Sequence, residues 1–351
     1  MPWKSYGFHS DGTFVPCGFV INMPFENIPI ENRHNSEIMK QIRNDFINNK
    51  FPKNCLRCEK DEELGKKSLR LTVNEQFILP NKLTEFFDQA EILDLNFSNI
   101  CNSKCIMCTP RCSSAIASEV KNKNVPIHYK GKNLKSELNF DIVKPFLKNA
   151  KRINLRGGEP LLDINNKKVL QHLVENNLSP QLNIVTNLSV WDEEFFDLTD
   201  KLKAKIKISI DGLDNVFKYI RYPLKFSIIE ENLIKLQQFQ HIKQLINCTV
   251  QLFNICELGK INEYFNIPIN FEILRKPEYF QANITDKKEY ILNKLQLLKN
   301  HNQYDELVNF IQQENKFDKE QLKFALNYFN TTRNLNYKDV IDKEIVGWID
   351  E

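Results

Sequence analysis

Between residues 88 and 275, short apolar runs and helix-like patterns take turns along the chain. That alternation restricts the available folds more than any other feature. The strand-like runs fall at 91–97, 152–155, 182–185, 205–210, 245–251 and 269–274. Helical patterns at 141–149, 167–177, 192–202, 228–239 and 255–265 separate most of them. Six strands alternating with helices predict a parallel sheet. Right-handed crossovers curl such units into a barrel or a doubly wound sheet, and an open six-strand barrel fits the count.

The flanks differ. Residues 1–85 are irregular, with an Asp11-Gly12 turn signal that pairs 4–8 with 14–20 as a short hairpin. A helix is predicted over 36–48, with Ser36 as its cap and Ile38, Met39, Ile42, Phe46 and Ile47 on one face. Residues 283–351 carry only helical spacing, as in Ile291, Leu295 and Leu298, or Leu322, Leu326 and Phe329, and read as helices packing over the barrel. The expected organisation is therefore 1–85, 86–278 and 279–351.

Apolar residues make up 42% and charged residues 26% of the 351, which argues against disorder as the main state. The net charge of +3 does not point to nucleic acid. No run approaches the ~18 apolar residues of a membrane span, and the start lacks a signal-peptide core, so a cytoplasmic protein is expected. In that compartment a disulfide framework is improbable, yet there are nine cysteines, and they are clustered. Such clusters point to a metal or to redox chemistry. No histidine cluster, P-loop or dinucleotide fingerprint accompanies them.

The strongest motif is Cys101-Asn-Ser-Lys-Cys105-Ile-Met-Cys108, directly after the first strand of the repeat. Three thiolates on one short loop can hold three irons of a cubane cluster and leave the fourth open to a ligand. The competing reading is structural zinc, with Cys112 as a fourth ligand. The second strand ends in Arg156-Gly157-Gly158-Glu159-Pro160. Paired glycines let a ligand approach the backbone, and the carboxylate can accept hydrogen bonds from an ammonium group. In a parallel barrel, active sites form at this end of the strands.

Together these motifs resemble the radical S-adenosylmethionine (radical SAM) enzymes, over roughly residues 88–275. Cys101, Cys105 and Cys108 match the family's C-x3-C-x-Φ-C motif, with Met107 at the Φ position that is often aromatic. Gly157, Gly158 and Glu159 match its GGE motif. Thr186-Asn187, Ile208-Ser209-Ile210-Asp211-Gly212 and Arg221 resemble further motifs of one large branch. The resemblance implies a partial (β/α)6 TIM-type barrel, with Cys101, Cys105 and Cys108 on a [4Fe-4S] cluster that binds S-adenosylmethionine. Gly157, Gly158 and Glu159 are then expected at the methionine amino group, and Met107 against the adenine. Asn187 is placed near the cofactor, with a strand-terminating turn as its alternative. Ser209 and Arg221 are placed at the ribose or carboxylate, with a salt bridge as the alternative for Arg221. The implied reaction is reductive cleavage to a 5′-deoxyadenosyl radical that abstracts hydrogen from a substrate. An electron donor such as flavodoxin or ferredoxin is the implied partner.

Cys17, after the hairpin, and the Cys55-x-x-Cys58 pair resemble the twitch module, a short relative of the SPASM domain that holds an auxiliary [4Fe-4S] cluster. Here that module precedes the barrel instead of following it, and it shows three cysteines where four are usual. An open iron, His9 or another side chain, or a residue upstream leaves three solutions for the fourth position, and half of a zinc knuckle is the alternative for Cys55 and Cys58. Cys112, Cys248 and Cys256 read as buried or near-cluster thiols. The basic residues Lys121, Lys123, Lys130, Lys132 and Lys135 form a solvated loop or attract an anionic substrate. The expected substrate is a small metabolite, such as a sugar or nucleoside, or a peptide. The competing function is a non-catalytic zinc or iron–sulfur protein with a structural or partner-binding role.

Overall fold

The computed structural model describes residues 2–9, 13–18, 20, 23, 28–63, 67–77, 83–86, 91–121, 124–130, 138–315 and 317–351. Eight strands share one sheet in the order β2-β1-β3-β4-β5-β6-β7-β8. They are β1 Ser5–Phe8, β2 Phe14–Val15, β3 Ile92–Asn96, β4 Arg152–Arg156, β5 Gln181–Thr186, β6 Lys205–Ser209, β7 Lys243–Val250 and β8 Ile269–Ile273. The six strands from β3 onward are those expected from the alternation, and the fold class is α/β with a mostly parallel sheet.

By its contacts the chain forms two compact units. The first comprises Met1–Asn99, Leu134–Ile184 and Asp197–Ala204; the second comprises Ile100–Asn133, Val185–Phe196 and Lys205–Glu351.

In the first unit β1 and β2 form the expected antiparallel hairpin, which His9 N closes onto Thr13 O at 3.0 Å. Ser10, Asp11 and Gly12 lie outside the described residues. The sequence did not signal that β1 also pairs in parallel with β3, placing Tyr6 opposite Leu93 and Gly7 opposite Asp94. Residues near the N-terminus thus extend the same sheet. In β4, Ile153 and Leu155 are buried while Arg152, Asn154 and Arg156 are half-exposed. The strand therefore packs one apolar face and keeps the other polar, as period-2 alternation dictates. On the polar side Asn154 donates to Asp94 (2.7 Å) and Asn183 to Asn154 (2.9 Å), a hydrogen-bonded row across three strands.

The helix Glu37–Ile47 starts on Ser36, whose hydroxyl accepts from Met39 N. Its buried face differs from the expected one. Ile47 is exposed, and Arg43 is fully buried beside Met39 and Ile42. Apolar periodicity cannot find such an arginine. Its guanidinium donates to the Pro2, His34 and Glu85 carbonyls and to Asn35, so burial leaves its donors matched. The run after Cys58 forms the helices Leu56–Glu63 and Leu69–Gln76, with 64–66 outside the described residues.

In the second unit β6, β7 and β8 pair in parallel, Ser209 facing Asn247 and Asn247 facing Asn270. The C-terminal residues form the helices Lys288–Leu295, Tyr304–Gln312, Lys319–Arg333 and Lys343–Asp350. These bury Ile291, Leu295, Leu322, Leu326 and Phe329, as their spacing predicts. Among the described residues no helix is long and apolar enough to cross a membrane.

Candidate functional site

The cysteine loop begins five positions beyond the end of β3 and belongs to the second unit. It has no regular structure of its own, so its backbone groups must be satisfied individually. The amides of Lys104 and Ile106 donate to the Tyr222 (2.6 Å) and Ile220 (2.9 Å) carbonyls. On its other side, Arg333 Nη1 donates to Lys104 O at 2.7 Å and the Tyr129 hydroxyl to Cys105 O at 3.3 Å. His128 Nε2 donates to Ile106 O at 2.7 Å. Ser113 donates to Ser103 O at 2.6 Å and also caps the helix Ser114–Glu119. Consecutive carbonyls of the motif are thus each held by a side chain distant in sequence.

These holders form one buried network. Arg333 also pairs with Glu119 (3.0 Å) and meets the Tyr129 hydroxyl (2.8 Å). Burial alone would raise the Glu119 carboxyl, but Arg333 and Lys104 outweigh it and hold it below the usual carboxylate range. Burial drives His128 down to about 4, so the ring is neutral near pH 7. Its Nε2 carries the proton given to Ile106, and Nδ1 accepts from the Tyr279 hydroxyl.

The sulfurs take up polar contacts from the loop and from Arg221. Ser103 N donates to Cys101 Sγ (3.5 Å), the Ser103 hydroxyl lies 2.9 Å from Cys105 Sγ, and Arg221 Nη1 lies 3.8 Å from the same sulfur. The Cys108 thiol is pushed well above its ordinary value, by a hydrogen bond with Cys112, by burial, and by Cys105 and Cys101 nearby. Crowded thiols resist ionisation until a bound cation offsets their charge. This donor set, with hydrogen bonds aimed at sulfur and the Arg221 Nε buried without a partner among the described residues, fits a thiolate-held group. Among the described residues no three His, Cys, Asp or Glu side chains converge tightly enough for a single metal ion.

Two of the other expected site residues, Asn187 and Arg221, contact this loop. Asn187 donates to Asn102, next to Cys101, at 3.1 Å, while its oxygen accepts from Ser189 N (2.9 Å) and Oγ (2.6 Å). It thus follows directly on β5 and contacts the cysteine loop. Met107 is half-buried in the loop's turn, and Ser209 is buried at the end of β6. Arg221 is 7% exposed and pairs with Asp211 at 2.8 Å. Cys248 is buried, Cys256 is half-buried, and burial raises both thiols. Lys121 and Lys130 are exposed; Lys123, Lys132 and Lys135 lie outside the described residues.

The Gly-Gly-Glu segment belongs to the first unit. Gly157 has φ +144°, a region few side chains tolerate. A Cβ there would meet Asn96 Oδ1 at 2.8 Å and Ser98 O at 3.0 Å. Gly158 N donates to Ser98 O at 3.2 Å, tying this loop to the residues that follow β3. Glu159 is 2% exposed, and its Oε1 accepts from Leu161 N at 3.3 Å, capping the short turn Pro160–Leu162. Asp163 accepts from the Ser98 hydroxyl and caps the helix Ile164–Glu175.

The first unit also gathers the N-terminal cysteines. Cys17 is buried, and Cys55 and Cys58 flank the start of the helix Leu56–Glu63. Burial, then the neighbouring Cys17 and Cys58, pushes the Cys55 thiol up to about 12. The loop carrying Cys17 is anchored to β3, since Gly18 N donates to Asp94 Oδ2 at 3.1 Å. His9 Nε2 lies 2.9 Å from Val20 O, so that nitrogen carries a proton.

Sequence reasoning missed Asp94, Glu119, His128, Tyr129 and Arg333. Asp211 stood inside a quoted motif without a role. The others carry no local signature, because each acts on groups far away in the chain, backbone for Asp94, His128, Tyr129 and Arg333 and side chains for Glu119.

No family model matches the chain. It is 31% identical over 130 residues to the uncharacterized protein MJ0907 of Methanocaldococcus jannaschii, covering 36% of this chain and 41% of that one. Among solved structures it is similar to native anSMEcpe with bound AdoMet, at 20% identity and TM-score 0.43 over 60% of this chain and 59% of that one. It is also similar to Streptococcus suis SuiB bound to S-adenosylmethionine, at 15% identity and TM-score 0.40 over 87% and 61%. The chain thus spans 41% of the curated relative and about three fifths of the solved structures it matches, and likenesses at this level leave the site to be read from its own residues.

Proposed function

We propose that this chain is a radical SAM enzyme that works in the cytoplasm. The observation that supports the reading most is the Cys101–Cys108 loop: three thiols in C-x3-C-x2-C order, backbone-clamped, with hydrogen-bond donors and a buried arginine directed at sulfur. Cys101, Cys105 and Cys108 would hold a [4Fe-4S] cluster. When bound, it supplies the electron that splits S-adenosylmethionine into methionine and a 5′-deoxyadenosyl radical, which takes a substrate hydrogen. Gly157 and Gly158 offer the methionine portion a close backbone approach, and Glu159 a buried acceptor for its ammonium group. Asn187, Ser209, Arg221 and Met107 would line the cofactor's surroundings, and a partial barrel over 86–278 would exclude water from the radical.

Cys17, Cys55 and Cys58, in a twitch-like module over 1–85, would hold an auxiliary [4Fe-4S] cluster for electron transfer or substrate binding. The substrate is a small metabolite or a peptide, and a flavodoxin or ferredoxin delivers the electron. Anaerobic reconstitution should load about eight irons, from two four-iron clusters. Reduction with S-adenosylmethionine should then release 5′-deoxyadenosine.

One observation favours a second reading, a four-thiolate zinc site: the Cys112 thiol hydrogen-bonds Cys108. Metal analysis separates the two. Zinc that is lost in Cys112→Ser supports the structural site, whereas iron retained in that variant supports the three-cysteine cluster.

A further inference from the structure

The register between the cysteine loop and residues 220–222 fixes one pair of side chains. Lys104 N bonds Tyr222 O and Ile106 N bonds Ile220 O, an antiparallel pattern in which Cys105 and Arg221 stand directly opposite each other. Facing side chains in such a pair project to the same side. Nη1 of Arg221 accordingly lies 3.8 Å from Cys105 Sγ.

The guanidinium is also anchored from behind. Its Nη2 lies 2.8 Å from Asp211 Oδ2. Asp211 is 0% exposed, its Oδ1 accepts from Thr249 N at 2.7 Å, and its carbonyl accepts from Asn254 at 2.8 Å. The carboxylate cannot swing, so neither can the arginine. One end of the planar fork is held by Asp211 and the other is aimed at sulfur.

We propose that Arg221 is a positioning and tuning residue for the cluster on Cys101, Cys105 and Cys108. Held by Asp211, it donates to the Cys105 sulfur and raises the cluster's reduction potential, instead of gripping the carboxylate or ribose of the cofactor. The inference rests on the cluster reading above. A fixed cation and a hydrogen bond at a ligating sulfur both stabilise the more negative, reduced cluster. Lysine keeps the charge but cannot span Asp211 and Cys105 at once, so its effect should be intermediate.

The test uses reconstituted full-length wild type, Arg221→Met, Arg221→Lys and Asp211→Asn. Their iron content is measured, the cluster potential by EPR-monitored titration, and S-adenosylmethionine affinity by equilibrium binding. We expect iron loading to persist and the midpoint to move to more negative potential, most in Arg221→Met and less in Arg221→Lys and Asp211→Asn. Cofactor affinity should change by less than about threefold, since no direct contact is lost. An unchanged midpoint with affinity down about tenfold or more, the loss of one charge-assisted contact, overturns the proposal. If Arg221→Met does not fold, Arg221→Lys and Asp211→Asn decide by the same criteria. A wild type that loads no iron overturns the cluster reading itself, and this inference with it.

Discussion

The two cysteine groups are built in opposite ways. Cys101, Cys105 and Cys108 are consecutive in sequence, and their loop is held by residues as remote as Arg333. Cys17, Cys55 and Cys58 come from separate segments, a loop after a hairpin and the start of a helix. A β-strand carboxylate, Asp94, secures the first of these segments. A contiguous motif brings its ligands but must import its rigidity, while a dispersed one gains its geometry from the fold that assembles it. If each group holds its own cluster, damage to one should spare the other.

The largest effect should come from the ligands. Cys105→Ala should lose about four irons, one cubane's complement, and all 5′-deoxyadenosine formation. Cys58→Ala should lose a similar share of iron but keep cofactor cleavage. Iron assays and product chromatography would show it, and cleavage lost equally in both would erase the distinction.

Next come the arginines that shape each unit. Arg333→Met leaves Glu119 buried with Lys104 as its remaining cation beside the Tyr328 hydroxyl, and frees the Lys104 carbonyl. It should cost about 3 kcal/mol, typical of breaking a buried ion pair. Arg43→Met loses bonds to carbonyls and Asn35 but strands no carboxylate, so it should cost less, about 2 kcal/mol. Urea denaturation measures both, and only Arg333→Met should also reduce iron on the Cys101 loop.

Gly157→Ala combines a disfavoured φ with a Cβ 2.8 Å from Asn96 Oδ1. It should destabilise by about 2 kcal/mol and weaken S-adenosylmethionine binding while leaving iron content intact.

The smallest effect is a pH dependence. His128 falls from an ordinary value near 6.5 to about 4 in the fold. Between those values the unfolded chain binds the extra proton, so stability should rise with pH from about 4 to 6.5 and be lost on acidification. His128→Gln should flatten that part of a stability-against-pH curve measured by denaturation.

Strand–helix alternation made β3 to β8 legible, because a strand with one apolar face repeats every second residue, as Ile153 and Leu155 do. The parallel pairing of β1 with β3 was hidden, since backbone hydrogen bonds across some 85 residues leave no local pattern. The thiols and glycines were visible because their chemistry is tied to residue type. Arg333, Tyr129 and His128 were not, since what they bind is backbone carbonyl, and any sequence supplies carbonyls. Arg43 was hidden by its charge, which periodicity assigns to the surface.

The central claim is that the Cys101 loop holds an iron–sulfur cluster with one iron open to the cofactor. EPR spectroscopy of the reduced, reconstituted Cys58→Ala variant tests it most directly, because the Cys101 loop then carries the intact cysteine set. Adding S-adenosylmethionine should change the cluster's spectrum. A loaded cluster whose spectrum is indifferent to the cofactor would contradict the account.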